Sequence, residues 1–120
     1  MNESIQFMEE NRQGVTILHI VNQRLIDPHL ADELTRRLCA LLEGGALALL
    51  IDMGSVARMS SLFFRSFIMA GKKANEKKAK IAFYNLPPVI KEGFAITGMD
   101  KLFKLYDSEN KGLVELEVKQ

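Results

Sequence analysis

The sequence predicts an α/β fold, with a central mixed, mostly parallel sheet of four to five strands, an N-terminal hairpin and about four helices packed on the sheet. Short, mostly apolar runs recur at residues 15–21, 46–51 and 80–84. Segments with helical spacing of apolar residues separate these runs, and most of them open and close on helix-capping residues. Strands that alternate with helices of this length form parallel sheets with right-handed crossovers.

An antiparallel hairpin is expected at the start of the chain. Residues 5–10 read as a short first strand, and the polar segment 11–14 ends in glycine, as hairpin loops often do. Residues 15–21 are nearly all apolar and rich in β-branched side chains, which is typical of a strand that is covered on both faces.

The first helix is predicted to begin at Asp27 and Pro28. Aspartate caps free backbone N–H groups, and proline is tolerated at the first helical position. Apolar residues then recur at helical spacing, at Leu30, Leu34, Leu38 and Leu41. Gly44 and Gly45 are expected to end this helix, and residues 46–51 to form a buried strand that ends at Asp52.

A second helix is predicted to open at Ser60 and Ser61 and to close in a lysine-rich tail. Its inner stripe is expected to consist of Phe64, Phe67, Ile68, Gly71 and Ala74. Because cations are favoured at a helix C-terminus, the lysine-rich segment 72–80 is interpreted as a solvated helix end. The segment could attract a nucleotide or an anionic membrane, but no aromatic side chains are interleaved for base stacking.

The remaining segments complete the predicted order. Residues 80–84 read as a buried strand, and a third helix is expected to start at Pro87 and Pro88 and to end at Gly98. Residues 102–106 read as a short edge strand, and Ser108 is expected to cap a final short helix through Leu116. With no repeat and no linker in the sequence, residues 1–120 are interpreted as a single domain.

Composition narrows the class of protein. The chain has 120 residues, of which 48% are hydrophobic and 26% charged, and this balance is typical of a soluble globular domain. A formal net charge of +1 argues against a nucleic-acid binder. The N-terminus does not resemble a signal peptide, and the apolar run 46–51 is too short to cross a bilayer. A cytoplasmic location without membrane insertion is therefore expected.

The sequence offers no convincing catalytic site, metal site or cofactor motif. Cys39 is the only cysteine and is surrounded by leucines, so a buried, inert thiol is expected. His19 and His29 lack companions at metal-ligand spacing. Asp52 at a strand end could be catalytic, but the sequence places no histidine or second carboxylate near it. An enzyme built around Asp52 or Cys39 is the less favoured alternative.

Two segments carry a resemblance to a known family. Residues 49–61 contain a hydrophobic strand that ends in aspartate, a short loop and a serine-rich helix start. Residues 85–103 contain a proline-started helix and the turn Thr-Gly-Met-Asp-Lys-Leu-Phe, and Ile26-Asp27 matches a Leu-Asp pair before the first helix. In this combination and order, residues 15–113 resemble the STAS domain of bacterial anti-sigma factor antagonists, and a STAS-like sandwich is expected.

The resemblance implies a regulatory role by partner switching. A member of the family with an unmodified serine at that helix start binds a serine kinase that is also an anti-sigma factor. Phosphorylation of the serine breaks the complex, and a phosphatase restores it. The matching residue is Ser61, where free N–H groups of the helix N-terminus would stabilise a phosphate. The alternative is that Ser60 and Ser61 are simple helix caps.

The sequence departs from the family pattern around this serine. Ser60, Leu62 and Phe63 replace the expected aspartate, small residue and glycine. Two apolar side chains at an exposed helix start would form a small apolar patch, typical of an interaction site, unless a loop covers them. The predicted partner-docking residues are Asp27, Ser60, Ser61, Leu62, Phe63 and Arg65, and the protein is expected to be a monomer or a weak homodimer.

The loss of the expected aspartate and glycine also suggests a second function. The chain would then be a STAS subunit that works without phosphorylation and either regulates a membrane transporter or binds a small ligand.

Overall fold

Seven strands and five helices follow one another along residues 4–117, the part of the chain that the structure, a computed structural model, describes. The strands are β1 (Phe7–Arg12), β2 (Val15–Ile20), β3 (Arg24–Leu25), β4 (Ala48–Asp52), β5 (Arg58–Met59), β6 (Lys80–Tyr84) and β7 (Lys104–Tyr106). The helices are α1 (Pro28–Glu43), α2 (Ser61–Lys77), α3 (Pro88–Thr97), α4 (Met99–Leu102) and α5 (Glu109–Leu116).

The central sheet confirms the predicted fold class. It has five strands in the order β1-β2-β4-β6-β7, and only the β1–β2 pair is antiparallel. Strands β1 and β2 are joined by Gln13 and Gly14, which both have positive φ angles, 58° and 79°. Such a two-residue turn matches the twist of the strands, so the hairpin loop is tighter than the predicted segment 11–14.

The structure adds three short elements that the sequence did not predict. Strands β3 and β5 form a separate parallel pair of two residues each. Helix α4 is a single turn of four residues, and β7 therefore begins at Lys104 instead of residue 102. Elements this short show no periodicity in the sequence.

The predicted capping residues fulfil their roles at two helices. The Asp27 carboxylate accepts a hydrogen bond from the His29 N–H at 2.8 Å at the start of α1. The Ser108 hydroxyl accepts one from the Lys111 N–H at 3.2 Å at the start of α5. These side chains satisfy N–H groups that have no partner within the helix.

Both faces of the sheet are covered. One face packs under α1, α2 and α3 and contributes Leu18, Ile20, Leu49, Ile51, Ile81 and Phe83 to a large core. The other face packs under α5 and contributes Val15, Ile17, Ala48, Leu50, Ala82 and Tyr84 to a smaller core. Burial on both faces explains why the central strands are apolar at nearly every position.

The inner stripe of α2 differs from the prediction. The buried residues of this helix are Phe63, Ser66, Phe67, Ala70 and Ala74, whereas Phe64, Ile68 and Gly71 are only partly buried. The stripe is rotated because α2 packs against α1 as well as against the sheet. The Ser66 hydroxyl donates to the Ala31 carbonyl at 2.9 Å and so links the two helices.

Candidate functional site

The start of α2 lies at the carboxyl edge of the sheet, after a short connection from β4. The Ser60 N–H donates to the Leu25 carbonyl at 2.8 Å, which fixes the helix start beside the β3–β5 pair. The Ser60 side chain does not cap the helix, and its buried Oγ has no hydrogen-bond partner within residues 4–117. Ser61 is the first helical residue and is exposed. The predicted capping role therefore fails, and the first N–H groups of α2 lack a side-chain cap.

Leu62 and Phe63 lie in opposite environments. Leu62 is 42% exposed, whereas Phe63 is 0% exposed and belongs to the large core. The predicted apolar patch thus includes Leu62 but not Phe63. The physical reason is the rotated stripe of α2, which turns Phe63 toward the core. In this conformation the Phe63 ring is not accessible to a partner.

A groove of about 380 Å³ runs between α1 and α2 beside Leu62. Arg65 and Met69 extend its wall along α2, and Met69 is 45% exposed. The α1 side of the groove is contributed by Pro28, Ala31, Asp32, Thr35 and Arg36. Of the predicted docking residues, Leu62 and Arg65 therefore share one surface, while Asp27 is half-buried and occupied in capping α1. Their docking role stays a prediction.

Apart from this groove, a polar cluster lies on the sheet face that α5 covers. His19 Nδ1 lies 2.6 Å from Asp52 Oδ2, and His19 Nε2 lies 2.8 Å from Glu10 Oε1. The expectation that no histidine lies near Asp52 is therefore wrong. Parallel pairing of β2 with β4 places His19 directly beside Asp52. Aligning residues 16–19 with residues 49–52 as neighbouring strands would have revealed this pair.

The hydrogen bonds around Asp52 and His19 favour the charged form of both groups. Burial opposes ionisation of Asp52, but hydrogen bonds from His19, the Gly54 N–H and the Asn85 amide outweigh it and lower the pKa of the carboxyl. Burial likewise opposes the imidazolium, but hydrogen bonds to Asp52 and Glu10 raise the pKa of His19 above its ordinary value. The pair anchors the end of β4, where the connection to α2 begins.

The same cluster extends to α5. Arg12 forms ion pairs with Glu10 and Glu109, and the Tyr84 hydroxyl donates to Glu109 Oε2 at 2.7 Å. Burial and the nearby Asp52 raise the pKa of Tyr84 far above its ordinary range, so the hydroxyl remains a donor. Glu10, His19 and Glu109 offer ligand atoms within 4.8 Å of one another and could hold a divalent cation. The guanidinium of Arg12 is already paired with both glutamates.

Cys39 and His29 belong neither to the groove between α1 and α2 nor to the polar cluster around His19. Cys39 is partly buried, less than the sequence predicted, and burial raises the pKa of its thiol. A thiol with a raised pKa is a poor nucleophile at neutral pH. His29 is exposed in the first turn of α1.

We expect the His19–Asp52 pair to give the free energy of unfolding a defined pH dependence. The stabilisation from His19 is fully present below its unfolded pKa of about 6.5 and is lost as the pH rises through the higher folded pKa. That from Asp52 is present above its unfolded pKa of about 3.8 and is lost as the pH falls through the lower folded pKa. In urea unfolding at a series of pH values, the free energy of unfolding of the unmodified protein should decline above pH 6.5. That of His19→Gln should lack this decline. Parallel curves for the two proteins would contradict this assignment.

The fold defines a class, an α/β sandwich in which a mixed five-stranded sheet has helices α1 to α4 on one face and α5 on the other. Within residues 4–117, no helix is long and apolar enough to cross a membrane. The family model for the STAS domain matches residues 6–112. The chain therefore belongs to the STAS domain family. No curated protein sequence matches the chain.

Solved structures share this fold at low sequence identity. An anti-sigma factor antagonist from Mycobacterium paratuberculosis is 22% identical with a TM-score of 0.81, and 95% of each chain is covered. The Bacillus cell fate determinant SpoIIAA in its phosphorylated form is 12% identical with a TM-score of 0.69, covering 92% of this chain and 98% of that one. The murine Solute Carrier 26 family member A9 anion transporter is 10% identical with a TM-score of 0.69, covering 88% of this chain but 18% of the transporter.

Proposed function

We propose that this chain is an anti-sigma factor antagonist that binds a serine kinase/anti-sigma factor through the start of α2. The observation that carries the proposal is the exposed Leu62 beside the exposed Ser61, in the first turn of a helix without a side-chain cap. Solved structures with the same fold that are named anti-sigma factor antagonists support it. The proposal places the protein in the cytoplasm and gives it no catalytic activity.

The groove between α1 and α2 suits a protein partner. Leu62 and Met69 offer apolar contacts along one wall, and Arg65 adds a positive charge at the rim. An apolar anchor within a polar rim is the usual composition of a binding hot spot. Because the neighbouring Phe63 is buried in the core and fixes the helix start, Leu62 lies on a rigid element.

Ser61 supplies the proposed means of control. The first turn of α2 contains no acidic residue and no side-chain cap, so its N–H groups are available to a phosphate. A phosphoserine there would add nearly two negative charges beside Leu62, at the helix start that the partner is proposed to contact. In this scheme phosphorylation releases the partner, and a phosphatase restores the complex.

Leu62→Ala tests the docking surface without adding a charge. Against a serine kinase from the same genome, calorimetric titration should show binding weakened roughly tenfold, as for truncation of an interface anchor. Val114→Ala is the matched control, because Val114 is 73% exposed on α5, across the sheet. Equal loss of affinity in both variants, or no loss in Leu62→Ala, would refute the proposed surface.

Regulation of a membrane transporter is the second candidate function. It is supported by the fold shared with a segment of the murine anion transporter and by the altered residues around Ser61. Under this alternative the partner is the cytoplasmic face of a transporter, and phosphorylation has no role. A transporter gene beside the coding gene, with no kinase or sigma factor gene nearby, would favour it.

A further inference from the structure

A cleft opens at the edge of the sheet where β7 falls short of β6. Pairing between these strands starts at Ala82 and Lys104, so β6 has no neighbouring strand on this side at Lys80 and Ile81. The cleft has a volume of about 460 Å³. It is bounded by the C-terminal half of α2, by β6, by the start of β7 and by the end of α5.

Most of the cleft wall is apolar. Ile68 and Ala74 contribute from α2, Ile81 from β6 and Leu116 from α5. The ring of Phe103 lies against α2 at Gly71, where an added Cβ would meet the ring at 2.9 Å. A glycine at this position therefore lets the Phe103 ring form one end of the wall. The size and lining fall within the range of sites that bind small ligands.

Three lysines stand around this apolar wall. Lys72, Lys80 and Lys104 line the cleft and are exposed, and none of them forms an ion pair within residues 4–117. By contrast, Lys73 and Lys77 on the same helix both pair with Glu43.

A single carboxylate, that of Glu115, lines the cleft together with the three lysines. The cleft therefore keeps a positive excess beside its apolar surface.

We propose that this cleft binds a free fatty acid, with the alkyl chain against the apolar wall and the carboxylate among the three lysines. Burial of the alkyl chain against the apolar wall favours binding, and the lysines select a negative headgroup. The cleft involves none of the residues that line the proposed docking groove. The inference therefore stands independently of the proposed partner.

Titration of the purified protein with dodecanoate tests the proposal. We expect saturable binding of one equivalent, and binding of dodecyltrimethylammonium, with the same chain and a cationic headgroup, at least about tenfold weaker because of charge selection. Methyl NMR should show the largest shifts at Ile68, Ile81 and Leu116. Equal binding of the two amphiphiles, or shifts at methyl groups elsewhere, would overturn the proposal.

Lysine variants separate this site from general surface charge. The double variant Lys72→Gln/Lys104→Gln should bind dodecanoate roughly tenfold more weakly, whereas the control double variant Lys91→Gln/Lys111→Gln should bind it normally. Equal loss in both would show that net charge, not the cleft, governs binding. Leu62→Ala should leave dodecanoate binding unchanged, so failure of the docking proposal and failure of this one can be told apart.

Discussion

Replacing Phe63 by alanine should lower the free energy of unfolding by about 3–5 kcal/mol, the usual cost of truncating a buried phenylalanine. The ring is 0% exposed and belongs to the core formed by the sheet, α1, α2 and α3. Its removal leaves a cavity at the start of α2, where Ser60 provides no side-chain cap to hold the helix. Urea unfolding followed by circular dichroism measures the loss.

Leu62→Ala is the matched control for this variant. Leu62 is 42% exposed, and its truncation should cost about 1 kcal/mol or less. The two variants therefore distinguish Phe63, which stabilises the fold, from Leu62, which is proposed to contact a partner. Similar losses of stability for both would mean that the described rotation of α2 is wrong.

Ser61→Glu should weaken the complex with the proposed kinase partner roughly a hundredfold, because a negative charge would be placed beside Leu62 at the docking surface. The same substitution should leave the folded protein slightly more stable, by about 0.3–1 kcal/mol, because a negative charge is favoured at a helix N-terminus. The first turn of α2 has no other acidic residue. Calorimetric titration and urea unfolding of the same sample measure the two effects.

Ser61→Gln controls for side-chain size without adding a charge. It should keep most of the affinity, since the proposed disruption is electrostatic. If Ser61→Glu binds the kinase as tightly as the unmodified protein, a phosphate at Ser61 cannot act as the release signal. That result would favour the function that does not use phosphorylation.

The order of the major elements could be predicted because local signals mark them. Asp27, Pro28 and Ser108 mark helix starts, and Gly98 marks a helix end with a φ of 78°. Alternation of these helices with apolar strands was enough to define a mixed, mostly parallel sheet. Strands β3 and β5 could not be predicted, since two residues carry no pattern.

The environment of each side chain was harder to predict than the elements themselves. The helical spacing of α2 allowed either Phe63 or Phe64 on the inner face, and only packing against α1 decides between them. His19 and Asp52 are distant in sequence, and their contact depends on the register of β2 against β4. The resemblance to the STAS family located Ser61, but it carried no information on which neighbours are buried.

The ion pair between Arg12 and Glu109 has a consequence for how the protein folds. It joins the first strand of the sheet to the last helix, so it closes a loop that includes almost every other element. Contacts with such large sequence separation raise the contact order and slow folding. Helix α5 should therefore become protected against hydrogen exchange only after the parallel strands on which it packs have paired.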